Sequence, residues 1–233
     1  MELKKVNQLK TKKSKLDTQG EDEKPNCQQL MNLGIAWKGR GEIERAIFYF
    51  QKAIALEPNN ADANYNLGLA FKSQGKIEEA IAYYQKAIEI NGNYAKAYQN
   101  LGVVFYEQGK IEEAIAEYRK ALRLQPNYAL AYSNLGLALL KGNKLEEAIA
   151  SFQQAISHAP NSASFHLNLG MAFSAQNKLE EAIAECRKAL TLKPNDAEFY
   201  NKLGFLFYKQ DRIEEAIAYL QQAISHAPNS AAL

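Results

Sequence analysis

Residues 95–128 read AKAYQNLGVVFYEQGKIEEAIAEYRKALRLQPNY, and the 34 residues before them, 61–94, read ADANYNLGLAFKSQGKIEEAIAYYQKAIEINGNY. The two lines share a frame that extends in both directions. Gly34, Gly68, Gly102, Gly136, Gly170 and Gly204 fall 34 residues apart. Ala46, Ala80, Ala114, Ala148, Ala182 and Ala216 keep the interval, as do Ala53, Ala87, Ala121, Ala155, Ala189 and Ala223. No insertion or deletion breaks the register over residues 27–230. Self-similarity at a fixed period of this length is the mark of a repeat architecture, and it outranks any local reading.

Each unit reads as two helices, as in 95–108 and 111–124. Between them stands Gly41, Gly75, Gly109, Asn143, Asn177 or Asp211, residue types that tolerate the positive φ of a helix C-terminus. Pro58, Pro126, Pro160, Pro194 and Pro228 follow the second helix, with Gly92 in that place in the second unit; either type stops a helix. The recurring Gly and Ala let helices approach closely. Trp37, Phe71, Phe105, Leu139, Phe173 and Phe207 on first helices fill the remaining space, with Phe50, Tyr84, Tyr118, Phe152, Cys186 and Leu220 on second helices. A single hairpin cannot bury its own apolar face, so stacked neighbours must make the core. The expected fold is all-α: six helix-turn-helix repeats at 27–60, 61–94, 95–128, 129–162, 163–196 and 197–230, with residues 231–233 opening a seventh.

The pattern Leu-Gly, an aromatic three residues after the Gly, then Gly, Ala, aromatic, Ala and Pro within 34 residues resembles the tetratricopeptide repeat. That resemblance implies a right-handed αα superhelix whose first helices line a concave groove. It also implies protein binding without intrinsic chemistry. The family often carries Trp at the fourth position, where this chain has Leu30, Asn64, Tyr98, Tyr132, His166 and Tyr200. Asn64 and His166 are the polar departures, and looser layers are expected there.

Composition agrees with a folded protein that has no global electrostatic partner. Hydrophobic residues make up 47%, and a net charge of +2 gives no field toward nucleic acid. Neither a membrane-length apolar run nor a signal-peptide core is present, so stable membrane insertion is not expected and a cytoplasmic location is. Cys27 and Cys186 show no metal-ligand or disulfide spacing and read as free thiols of a reducing compartment. Residues 1–26 lie outside the repeats. Residues 1–16 carry six lysines and one glutamate, and 17–26 are acidic and polar, a combination that reads as a disordered tail. A weak basic amphipathic face through Leu3, Val6, Leu9 and Leu16 is the alternative. At the other end no polar cap follows the sixth repeat, so self-association through that repeat is expected. The segment 153–163 recurs identically at 221–231, the trace of a duplicated two-repeat block.

The sequence offers no catalytic set. His158 and His226 recur because the duplicated block recurs. Gly75-Lys76 and Gly109-Lys110 are each followed by Ile and lack the upstream glycine of a phosphate loop. Adjacent glutamates such as Glu112-Glu113 suit the positive end of a helix better than paired acid–base work. No enzyme activity, cofactor or metal is expected.

Helical geometry instead locates a binding face. At 100° per residue, positions 4, 7, 8 and 11 of each unit share the core side, and positions 2, 6, 9 and 13 share the opposite one. Position 6 reads Asn32, Asn66, Asn100, Asn134, Asn168 and Lys202. Position 9 reads Ile35, Leu69, Val103, Leu137, Met171 and Phe205. A carboxamide donates and accepts, so a row of them can pair with a peptide backbone. Helices about 9–10 Å apart and a chain rising about 3.3 Å per residue put one Asn beside roughly every third peptide group. The row resembles the asparagine ladder of the O-linked N-acetylglucosamine transferases, where such residues grip substrate backbone; Lys202 breaks it. A chaperone-tail clamp fits poorly, since Glu198 stands where a cation is wanted and Ser133 and Leu137 miss the required Lys and Asn. Two functions are therefore expected in order: a scaffold that binds an extended protein or peptide segment, and the substrate-recognition arm of a larger transferase.

Overall fold

The computed structural model describes residues 25–227. Of the tail read at 1–26, residues 1–24 fall outside the described residues, as do 231–233, read as opening a seventh repeat. Twelve α-helices occupy the described part, and it contains no strand. They are α1 (Cys27–Gly39), α2 (Ile43–Leu56), α3 (Ala61–Ser73), α4 (Ile77–Ile90), α5 (Ala95–Glu107), α6 (Ile111–Leu124), α7 (Ala129–Lys141), α8 (Leu145–His158), α9 (Ala163–Ala175), α10 (Leu179–Leu192), α11 (Ala197–Lys209) and α12 (Ile213–His226). This is the all-α, six-repeat fold that the period predicts. The helices fall into two compact units, Met1–Ala80 and Ile81–Leu233, with the boundary inside α4.

The turn inside each repeat follows from one left-handed residue. Gly41, Gly75 and Gly109 have φ of 80°, 75° and 76°; Asn143, Asn177 and Asp211 take 58°, 61° and 60°. The left-handed residue closes a Schellman motif. Lys110 N donates to Phe105 O at 2.8 Å and Gly109 N to Tyr106 O at 3.0 Å, and the same pair of bonds recurs at the other five turns. The residue after the turn then lays a cation over the ring it has just capped: Lys76 on Phe71, Lys110 on Phe105, Arg212 on Phe207. First helices start on side-chain caps at Asn26, Asn60 and Asp196, and Asn26 forms a full capping box with Gln29.

The repeated glycine is a steric necessity. A methyl group on Gly102 would lie 2.7 Å from Tyr118, on Gly136 2.6 Å from Phe152, and on Gly34 2.4 Å from Phe50. Each ring sits flat in the space that a side chain would take, and Phe50, Tyr118 and Phe152 are buried. Within residues 81–233 each helix packs on its sequence neighbours, and α5 with α7 and α7 with α9 also touch as consecutive first helices. Within residues 1–80 the same holds for α1 and α3.

Three expectations need correction. Trp37 is only half buried; the guanidinium groups of Arg45 and Arg40 cover its ring at 4.5 and 5.1 Å. Leu220 is exposed on α12, because no further helix packs on it among the described residues. The polar fourth positions do not loosen their layers. Asn64 is buried and donates to Asn60 O at 2.9 Å. His166 is buried with Nδ1 2.7 Å from Glu185 and Nε2 3.1 Å from the Pro160 carbonyl. Its ring nitrogens find one partner in its own repeat and one in the preceding repeat, so burial costs no unpaired group.

Candidate peptide-binding face

First helices present one side to the core and the other outward, as the angular count requires. Every position-2 and position-13 residue is exposed, from Gln28 and Gly39 to Glu198 and Lys209. Asn66, Asn100, Asn134 and Asn168 are half-buried, Asn32 is exposed, and Lys202 is half-buried. Ile35, Met171 and Phe205 are exposed, with Phe205 52% accessible. Leu69, Val103 and Leu137 are half-buried, and the last two also lean on the core around Ile115, Tyr118 and Leu139. The face thus carries amides beside apolar side chains on α5, α7 and α9 within residues 81–233, and on α1 and α3 within residues 1–80.

The amides are not idle. Asn66 Nδ2 donates to the Asp62 carbonyl at 2.8 Å and Asn100 Nδ2 to the Lys96 carbonyl at 3.0 Å, each one turn back on its own helix. Asn168 Nδ2 reaches across to Ser133 Oγ on α7 at 3.2 Å, and Asn32 Oδ1 accepts from Gln28 at 3.0 Å. Ser133, read from sequence only as a failed clamp residue, therefore ties two first helices together. Its small size and burial fit a bridging role that spacing alone does not reveal.

A second link recurs on the turns. Gln74 Nε2 donates to Glu44, Gln176 to Glu146 and Gln210 to Glu180, at 2.8–2.9 Å, joining each turn to the second helix of the preceding repeat. Where Gly142 replaces the glutamine, Lys144 takes Glu112 instead, at 2.9 and 3.1 Å. The first glutamate of each pair thus has a structural use beyond the helix N-terminus.

A crevice of about 430 Å³ lies beside α9 and α11, against the α7–α8 turn at Leu140, Asn143 and Leu145. Gly170, Met171, Cys186, Phe205 and Leu206 also line it, with Lys202 and Lys209. Burial pushes the Cys186 thiol up to about 12, helped by the charge of Glu185 and opposed by Lys202. No group of three or more His, Cys, Asp or Glu side chains fit to hold a metal occurs among the described residues. No helix among them is long and apolar enough to cross a membrane.

The family pattern described as TPR repeat matches residues 39–75, 68–109 and 104–142, and two patterns described as tetratricopeptide repeat match 133–197 and 173–233. The chain belongs to the tetratricopeptide-repeat family. Proteins of this family generally mediate protein–protein interaction, and their fold is typically a non-catalytic scaffold. Among solved structures, this TPR protein is similar to PilF of Pseudomonas aeruginosa, at 24% identity, a TM-score of 0.77, and coverage of 88% of this chain and 93% of that one. MamA from Desulfovibrio magneticus RS-1 aligns at 23% identity and a TM-score of 0.68, over 74% of this chain and 97% of that one. YrrB, a TPR protein whose peptide-binding site is called unusual, aligns at 26% identity and a TM-score of 0.64, over 78% and 93%. No curated protein matches by sequence.

Proposed function

We propose that the first-helix face of α5, α7 and α9 holds an extended segment of a partner protein, with Asn100, Asn134 and Asn168 meeting its backbone and Val103, Leu137 and Met171 meeting its side chains. The observation that carries this reading is the recurrence of a half-buried amide and an apolar side chain, at fixed positions, on the outward side of three consecutive helices. Residues chosen for solvent alone need not repeat, and residues chosen for the core would be buried. In residues 1–80, Asn32 and Asn66 with Ile35 and Leu69 offer the same chemistry on α1 and α3. Lys202 and Phe205 continue the face on α11, with a cation in place of the amide. The peptide-binding site of YrrB supports the general idea that a protein of this fold can take a peptide.

Each amide contact contributes only about 0.5–1.5 kcal/mol net, because it replaces a bond to water or to the helix itself. Affinity therefore needs several rungs. The test selects peptides from a random twelve-residue library on the wild-type protein and measures their affinity for the Asn100→Ala/Asn134→Ala double variant. Binding should weaken by about 1–3 kcal/mol, roughly five- to a hundred-and-fifty-fold. The melting curve should hardly move, since the Asn100 carboxamide donates to the exposed Lys96 carbonyl of its own helix. Unchanged binding with a much earlier melt would mean that the asparagines serve the fold.

A further inference from the structure

The second helices of repeats 1, 3 and 4 press an aromatic ring, Phe50, Tyr118 or Phe152, against the glycine of the first helix. In repeat 5 that place is held by Cys186, whose Sγ lies 2.8 Å from where a Gly170 side chain would begin. A thiol is shorter than the rings that hold this place in repeats 1, 3 and 4. On the α11 side, Phe205 and Leu206 share a crevice with Gly170 and Cys186. The crevice of about 430 Å³ opens there, with Cys186 and Gly170 in its lining. That volume lies within the range of small-ligand sites.

From the missing ring, the crevice beside it and the two lysines that line it, we infer that this crevice is the anchor pocket of the peptide-binding face: it takes one large apolar side chain, aromatic or long aliphatic, of a partner segment that carries a carboxylate beside it. The inference rests on the proposed function above and gives that face a specificity.

Several features select this occupant. Met171 and Phe205 occupy the ninth position of adjacent repeats, so a chain lying along the face passes over the opening. Leu140, Leu145, Met171, Phe205 and Leu206 line it and reward burial of apolar surface, beside the polar groups of Asn143 and Ser174. Lys202 and Lys209 supply charge without geometry. The Lys209 ammonium lies 5.1 Å over the Phe205 ring, poised beside the opening. Glu198 sits one turn before Lys202 on the same helix, so an incoming carboxylate is directed to the Lys209 end. The lysine-rich residues 1–16 of this chain carry the wrong sign.

N-acetylphenylalanine combines a phenyl ring with a carboxylate and serves as the probe. The chain has three methionines, Met1, Met31 and Met171, so a ¹³C-methyl-methionine NMR titration reads the crevice at Met171 and uses Met31 as an internal control. The Met171 methyl should shift saturably, with a dissociation constant of about 1 mM for a ligand of this size. N-acetylalanine should produce no shift, and the uncharged amide of the probe should bind about threefold more weakly, as should wild-type probe to the Lys209→Gln variant. Cys186→Phe restores the ring of repeats 1, 3 and 4 and should weaken binding at least about tenfold. Cys186→Leu, which copies Leu220, gives the same comparison should the ring not be accommodated. A Met171 methyl that ignores the probe, or answers N-acetylalanine equally, overturns the inference. So does normal binding by folded Cys186→Phe and Cys186→Leu. The Asn100→Ala/Asn134→Ala variant should titrate like wild type, so a failed pocket and a failed amide row give different results.

Discussion

At Gly102 one methyl group decides between two opposite effects. Alanine in a helix is usually favoured over glycine by about 0.5–1 kcal/mol. Here its Cβ would stand 2.7 Å from the Tyr118 ring, which is buried and cannot retreat into solvent. Overpacking of this kind costs about 1–3 kcal/mol, so Gly102→Ala should lower the urea midpoint. Gly39, at the end of α1, has nothing within 4 Å of the same methyl and no positive φ, so Gly39→Ala should raise it. Cys186 provides a second test through pH. Its folded pKa of about 12 is raised mainly by burial. An unfolded cysteine ionises near about pH 8.5, so above that pH the unfolded chain loses a proton that the folded chain keeps. The stabilisation from this source is whole below about pH 8.5 and declines as pH rises toward 12, by up to about 1.4 kcal/mol per unit. Denaturation midpoints between about pH 9 and 10.5 should therefore fall more steeply for wild type than for Cys186→Ala. Tyr118, also raised by burial first and then by Tyr106 and Glu107, adds an alkaline loss that both proteins share. Equal slopes for the two proteins would show that the thiol is not desolvated as its surroundings indicate.

The second helices show how one sequence position changes its meaning along the chain. Ile115 on α6, Ile183 on α10 and Ile217 on α12 hold the same place in their repeats. The first two are 1% and 2% exposed, but Ile217 is 51% exposed, as Ile213, Leu220 and Ile224 on the same helix are also exposed. Burial comes from the neighbouring repeat, and among the described residues α12 has a neighbour on one side only. Ile115→Ala should cost about 2–4 kcal/mol, and Ile217→Ala less than about 0.5 kcal/mol. Amide hydrogen exchange should likewise be faster in α12 than in α8, since local opening follows the loss of buried apolar contacts. A large loss at Ile217, or α12 protection equal to that of α8, would mean that another surface covers the apolar face, with a second copy of the chain the first to examine. Concentration-dependent melting would identify that copy.

Across the whole molecule the period of 34 made the helices, their turns and their left-handed residues readable from sequence, because each depends on a local rule applied six times. What escaped the sequence depends on which side chain meets which, within a repeat and between repeats. The bond from Asn168 to Ser133, the glutamine–glutamate links between repeats and the pairing of His166 with Glu185 all join residues whose types alone fit several roles. Cys186 was visible as a departure from the aromatic row, but the crevice beside it is lined by α11 as well and could not be seen in the row itself. The outward amide row was readable in full; the bonds its amides make within the protein were not. The central claim is that this row reads a backbone, and one measurement addresses it directly. A peptide selected on the wild-type protein is resynthesised as a set, each member carrying one N-methylated peptide bond. Helices about 9–10 Å apart and a rise of about 3.3 Å per residue predict losses that recur at about every third bond, each about three- to tenfold, and that shrink in the Asn100→Ala/Asn134→Ala variant. Affinity that ignores N-methylation throughout, and answers only to changes of side chain, would contradict the account.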